Sequence, residues 1–218
     1  MRRTLWVGAA LLAVVLGAAG AQEKPKVFTF AKADLGKVPA GWKADQTGKG
    51  EGSVWKVVED KTAPSKSGFA LAQTAESPSA VFNLCVAEDT SFKDVEIGVA
   101  FKANAGKKDQ GGGVVWRYQD ANNYYIARMN PLEDNFRVYK VVGGKRSAEF
   151  QDAEVKVPVG EWHTLSVKMV GDKIECSVDG KKYLEAKDDA FTKAGKVGLW
   201  TKADAQTSFD NFAVKEVK

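Results

Sequence analysis

From Val27 onward the chain alternates apolar and polar residues with a period of two, and turn signals interrupt it every few residues. The segments Asp94–Lys102 (DVEIGVAFK), Arg137–Val142 and Thr164–Val170 (TLSVKMV) carry the pattern. Between the strands lie turn formers: Asn104-Ala105-Gly106, Val142-Gly143-Gly144, Gly171-Asp172 and Asp179-Gly180. A period of two puts successive side chains on opposite faces of a pleated strand, and short strands with frequent turns predict antiparallel sheets packed face to face. After the first residues no window shows the apolar stripe of a helix. The fold class expected is therefore all-β. Lys173–Leu184 reads as a hairpin around Asp179-Gly180, and the polar, Gly-rich Ala44–Ser53 reads as a loop.

The N-terminus has a different character. Arg2 and Arg3 precede an apolar run from Leu5 to Leu16, and Ala19-Gly20-Ala21 follows. This is the pattern of a cleavable signal peptide, and about 12 apolar residues fall short of the roughly 20 that span a bilayer. The expected organisation is a signal peptide at 1–21, a single β-sandwich domain at 22–218, periplasmic or secreted localisation, and no stable membrane insertion. Of 32 Lys and Arg, two lie in the leader, leaving 30 against 28 acids, a net charge of +2. Without a dense basic patch, nucleic acid is not an expected partner. Cys85 and Cys176 are the two cysteines. They suit either a disulfide or a pair of buried thiols. With one His and no Cys-x-x-Cys, a catalytic metal is not expected.

Longer strings carry a resemblance. Gly160-Glu161-Trp162-His163-Thr164-Leu165-Ser166-Val167, followed by a strand ending in Asp179-Gly180, resembles laminin-G and concanavalin A-like sandwiches. Gly41-Trp42, Trp55-Lys56-Val57, Phe82-Asn83-Leu84, the block Gly111–Arg146, Gly195–Asp204 and Phe209–Val214 extend it over nearly all of residues 22–218. Together they resemble an exported bacterial family grouped with the 3-keto-disaccharide hydrolase domains and with family-16-like glucanases. The resemblance implies a concanavalin A-like jelly-roll sandwich whose concave face holds a carbohydrate or glycoside ligand. The protein is then either a hydrolase or lyase of modified glycosides, or a non-catalytic binding or adhesion module.

Alternation sorts the central block. Val114, Trp116 and Tyr118 are expected on one face and Arg117 on the other, because an unpaired charge is costly in a core. Tyr124, Ile126, Arg128 and Asn130 fall together, with Tyr125, Ala127 and Met129 inward. Arg137 and Tyr139 follow the open side. Trp200 and Lys202 share a face, with Trp200 readable either as ligand platform or as core. Sugar recognition needs flat apolar surfaces and fixed polar groups, so the expected ligand-binding set is Arg117, Tyr124, Arg128, Asn130, Arg137, Tyr139, Trp200 and Lys202.

Glycoside hydrolysis ordinarily needs two carboxylates. The family-16 E-x-D-x-x-E strand is missing, since no E-x-D occurs anywhere in the chain. Asp120, Glu133, Asp134 and Asp204 remain as acidic candidates, with Glu133 and Asp204 expected to be the catalytic pair. His163 is expected to serve the framework, and Trp162 to lie in the core. No cofactor is expected. Asp210 is either a solvent-facing residue on an edge strand or, by the resemblance, a ligand of structural calcium.

Overall fold

The computed structural model describes residues 24–217. The leader expected at 1–21 therefore lies outside the described residues. Sixteen strands follow in order: β1 Lys26–Phe28, β2 Trp42–Thr47, β3 Trp55–Glu59, β4 Phe69–Gln73, β5 Phe82–Phe92, β6 Val95–Ala105, β7 Gly112–Asp120, β8 Asn123–Asn130, β9 Asn135–Val142, β10 Lys145–Arg146, β11 Gln151–Glu154, β12 His163–Val170, β13 Lys173–Val178, β14 Lys181–Lys187, β15 Gly195–Lys202 and β16 Gln206–Glu216. Among the described residues the only helix is a single 3₁₀ turn at Lys32–Asp34, and none is long and apolar enough to cross a membrane.

The strands form two antiparallel sheets. The back sheet runs β14-β13-β12-β6-β16-β4-β3 with β1 beside β16, and the front sheet runs β10-β9-β8-β7-β15-β5-β2 with β11 beside β9. The inward faces interdigitate in one core: Val57, Leu71, Ile97, Phe101, Leu165 and Phe209 from the back, Cys85, Val114, Trp116, Tyr125, Phe136 and Leu199 from the front. Each such side chain contributes roughly 1.5–3 kcal/mol when fully buried. This is the expected jelly-roll sandwich. Cys85 and Cys176 face that core from opposite sheets as free, buried thiols. The turn Asp179-Gly180 has φ of 49° and 76°, the pair of positive angles that a two-residue I′ hairpin needs.

Three expectations change. The first half of Ala44–Ser53 is strand: Ala44–Thr47 belong to β2 and pair with Cys85–Phe82 of β5. Polar composition misleads there because β2 is an edge strand. Trp162 is not core; it is half-buried at the edge of the back sheet, where its Nε1–H donates to Thr62 Oγ1 (3.0 Å). And alternation fails in β7. Arg117 has φ 45°, and the register breaks between Trp116 and Asp120 on one side and between Lys196 and Gly198 on the other. The extra residue of a bulge reverses the faces beyond it. Val114 and Trp116 point into the core, but Tyr118 points to the opposite face of the front sheet.

Candidate functional site

That opposite face carries a second apolar cluster, built from the front sheet and the β7–β8 turn: Phe82, Leu84, Val86, Val115, Tyr118, Ala121, Tyr124, Ile126, Tyr139, Val141 and Trp200. It is buried because the sheet curls toward it. Thr47 on edge strand β2 gives its hydroxyl proton to the Ala121 carbonyl and accepts from the Tyr124 hydroxyl at 2.6 Å. The Tyr118 hydroxyl donates to Asp45 Oδ2 at 2.7 Å. The Arg146 guanidinium lies 4.3 Å from the Tyr139 ring centre and 5.5 Å from that of Phe82, although β9 and β5 are four strands apart. This is the concave face, closed at one end by its own aromatics.

The register places the polar residues. One row across the sheet reads Asp45, Leu84, Trp200, Gly113, Arg128, Arg137, each paired with the next. Gly113 lets β7 lie close against β8 between Trp200 and Arg128, since a Cβ there would collide with the Ala127 carbonyl. Tyr124, Arg128, Asn130, Arg137, Tyr139, Trp200 and Lys202 are thus on one face.

Beyond the aromatics is a charged end. Asp109, from the turn between β6 and β7, is 2% exposed. Its Oδ2 takes Lys202 Nζ (2.9 Å), and its Oδ1 takes Asn130 Nδ2 (3.1 Å) and Arg128 Nη1 (3.4 Å). On the other side Arg128 Nη2 donates to Glu133 Oε2 at 3.0 Å, where Asn135 Nδ2 also donates and Arg137 Nη1 approaches to 3.7 Å. Arg137 in turn reaches Asp152 at 2.9 Å. Partial burial works to raise the Glu133 carboxyl, but the Asn135 amide and the Arg128 and Arg137 guanidiniums outweigh it, holding it below the usual carboxylate value. Glu133 is an ionised carboxylate at the rim.

Asp204 stands one step back. Its oxygens accept the backbone N–H groups of Lys107, Lys108 and Asp109 at 2.9–3.1 Å. Burial opposes these bonds, yet they keep its carboxyl low. Asp204 fixes the turn that presents Asp109. Asp109 itself escapes a sequence reading, because Lys107-Lys108-Asp109-Gln110 resembles an ordinary solvated turn. Its one signal is its place two residues before the Gly111–Gly113 run that leads into β7.

Arg117 leaves the cluster altogether. The bulge carries its side chain, 1% exposed, to the end of the sandwich, where Nε donates to Lys93 O (2.8 Å), Nη1 to Phe191 O (2.6 Å), and Nη2 to Gly171 O (2.7 Å) and Asp94 Oδ1 (3.3 Å). It ties three loops together. Asp120 caps the β7–β8 turn through Asn122 N and Asn123 Nδ2, and Asp134 sits in the β8–β9 turn with φ 51°. His163 Nδ1 lies 2.8 Å from Asp179 Oδ2, away from the concave face. Asp210 is buried rather than solvent-facing, and its Oδ2 accepts Ser65 N–H at 2.8 Å. Among the described residues no three His, Cys, Asp or Glu cluster to hold a metal ion.

A family model matches most of the chain. The model, described as a 3-keto-alpha-glucoside-1,2-lyase-like domain, matches residues 32–215. The chain belongs to the 3-keto-alpha-glucoside-1,2-lyase-like domain family. Solved structures similar to this family member share its fold at low sequence identity. The carbohydrate-binding module CBM66 of Bacillus subtilis is 19% identical, with 80% of this chain and 95% of that one covered at a TM-score of 0.64. Domain 4 of AbnA, a GH43 extracellular arabinanase of Geobacillus stearothermophilus solved with arabinotriose, is 14% identical, with 88% and 93% covered at 0.57. A galectin-like protein of Bacillus subtilis is 12% identical, with 87% and 97% covered at 0.55. No curated protein matches the chain.

Proposed function

We propose that this lyase-like domain is an exported, carbohydrate-processing protein that holds a glycoside on the concave face of the front sheet and cleaves it. One observation carries the reading: two carboxylates, Asp109 and Glu133, flank the Arg128 guanidinium at the charged end of the front sheet. Both bonds end on one guanidinium, so Asp109 and Glu133 face each other across Arg128, and with Asp109 only 2% exposed it is Glu133 that is left to react. Trp200, Tyr139 and Phe82 are packed beneath this end, 0%, 2% and 8% exposed, so a sugar would lie against the rim that Glu133, Arg137 and Lys202 present. Glu133, ionised and 42% exposed, is the base that reaches substrate. Arg128 supplies positive charge where an oxyanion would develop. Asp109 holds Arg128 and Lys202 in place, and Asp204 holds Asp109.

A second reading, a non-catalytic sugar-binding module, is favoured by the way the charges of Asp109 are already taken up by Lys202 and Arg128. The two readings separate on turnover. Purified protein is incubated with a panel of glycosides and 3-keto-glycosides, alongside Glu133→Gln and Asp204→Asn variants checked for folding. Cleavage that falls about 10²–10⁴-fold in Glu133→Gln supports the base assignment. Binding of the panel without turnover by the wild type selects the binding module, and full activity in Glu133→Gln removes Glu133 from the chemistry.

A further inference from the structure

The charged end of the concave face is short of acceptors. Arg128 Nε, Arg137 Nε, Arg146 Nη1 and Trp200 Nε1 are all buried without a hydrogen-bond partner among the described residues. Buried donors are ordinarily paired, and leaving one unmade costs about 1–3 kcal/mol. Four on one face need a common cause.

The three arginines surround one side chain. Arg128 and Arg137 are cross-strand partners with the Tyr139 hydroxyl beside both guanidiniums, and neither Nε–H has a partner in hydrogen-bond geometry. Arg146 lies over the Tyr139 ring. The acids at this end are already engaged: Asp109 by Arg128 and Lys202, Glu133 by Arg128 and Arg137, Asp152 by Arg137. Among the described residues none of them pairs with Arg146, whose guanidinium is left without a carboxylate partner.

Resting on the concave-face reading above, we propose that this cluster receives a carboxylate, so that the preferred ligand is an acidic sugar such as a uronic acid glycoside. A hydroxyl would satisfy one donor but bring its own proton, which needs an acceptor in turn. A carboxylate only accepts. Its two oxygens offer about four acceptor positions, it forms the stronger charge-assisted bonds with guanidinium, and it gives Arg146 the counter-charge it lacks. Facing arginines with free Nε–H groups suit both of its oxygens.

The test is calorimetric binding of methyl glucuronoside, its methyl ester, methyl glucoside and methyl 3-keto-glucoside to the purified protein. The acid is expected to bind at least tenfold more tightly than the ester or the glucoside, with the advantage shrinking in 0.5 M salt. Arg146→Gln is expected to erase the preference while the neutral glycoside still binds. Equal affinity for acid and ester overturns the carboxylate assignment and leaves the concave face as a neutral-sugar site. Tightest binding by the 3-keto-glycoside overturns it in favour of a ketone acceptor. Failure of all four ligands to bind overturns the concave-face reading itself. If Arg146→Gln does not fold, the ratio of acid to ester in the wild type decides.

Discussion

Arg117 and Arg128 lie 11 residues apart on neighbouring strands, both almost wholly buried, yet they do opposite things with their donors. Arg117 spends Nε and both terminal nitrogens on three backbone carbonyls and one carboxylate. Arg128 binds two carboxylates and leaves Nε free. A guanidinium saturated by carbonyls of its own chain is a fastener. One held by acids, with an Nε–H donor to spare, is suited to binding. Burial alone does not separate a structural arginine from a binding one; the census of its partners does.

The comparison breaks most sharply at Arg117. Arg117→Ala strands the carbonyls of Lys93, Gly171 and Phe191 and releases three loops together. We expect a loss of about 3–5 kcal/mol, read as a fall in Tm on the order of 10 °C. Ligand affinity of the folded protein should not change. Wild-type Tm with lost binding would return Arg117 to the ligand face, where strict alternation puts it.

Arg128→Ala should cost less stability and more function. Asp109 keeps Lys202 and Asn130, and Glu133 is open enough to be solvated, so about 1–3 kcal/mol is expected. Turnover and acidic-sugar binding should both disappear. A Tm loss as large as that of Arg117→Ala, with ligand binding intact, would make the two arginines equivalent and end the contrast.

Acid titration sharpens it further. Glu133, Asp60, Asp188 and Asp204 all have carboxyls held below their ordinary values in the folded state. A depressed folded pKa contributes stability above the unfolded value, near 4, and loses it as pH falls through the folded value. Tm should therefore be flat above about pH 5 and fall below about pH 4. Arg128→Ala removes one cation from Glu133 and should shallow that acid limb. Arg117→Ala should lower the whole curve with little change of slope, since three of its four partners are carbonyls that do not titrate.

These contrasts also mark what the sequence discloses. The sandwich is legible because most strands keep their period: β8 separates Tyr124, Ile126, Arg128 and Asn130 from Tyr125, Ala127 and Met129, as the pattern implies. Cys85 and Leu84 fall on opposite faces, and both are buried because the curled front sheet has a core on each side. What stays hidden is non-local. A bulge at a non-glycine residue leaves no composition signal, so Arg117 is misplaced and Tyr118 with it. Asp109 becomes special only when folding brings Arg128, Asn130 and Lys202 to it from two other strands. Trp162 follows an expected strand pattern but stands just before the first residue of β12, where the strand has not yet begun.

The smallest expected effect belongs to Asp204. Three N–H groups of the 107–109 backbone converge on its two oxygens, and Asp204→Asn keeps one of those oxygens as an amide carbonyl. The other acceptor becomes an NH₂ facing backbone donors, so the turn should loosen by about 1 kcal/mol, a Tm shift of roughly 2–4 °C. Asp109 then loses some of its hold on Arg128 and Lys202 through a small displacement, not through missing charge. Substrate affinity should weaken several-fold while the pH profile of turnover keeps its shape, because Glu133 still titrates as before. Asp204→Ala should enlarge the effect on affinity without changing that profile. If Asp204→Asn instead abolishes turnover as thoroughly as Glu133→Gln, with affinity and Tm unmoved, then Asp204 meets the substrate itself, and its bonds to the 107–109 turn are a resting arrangement that substrate displaces.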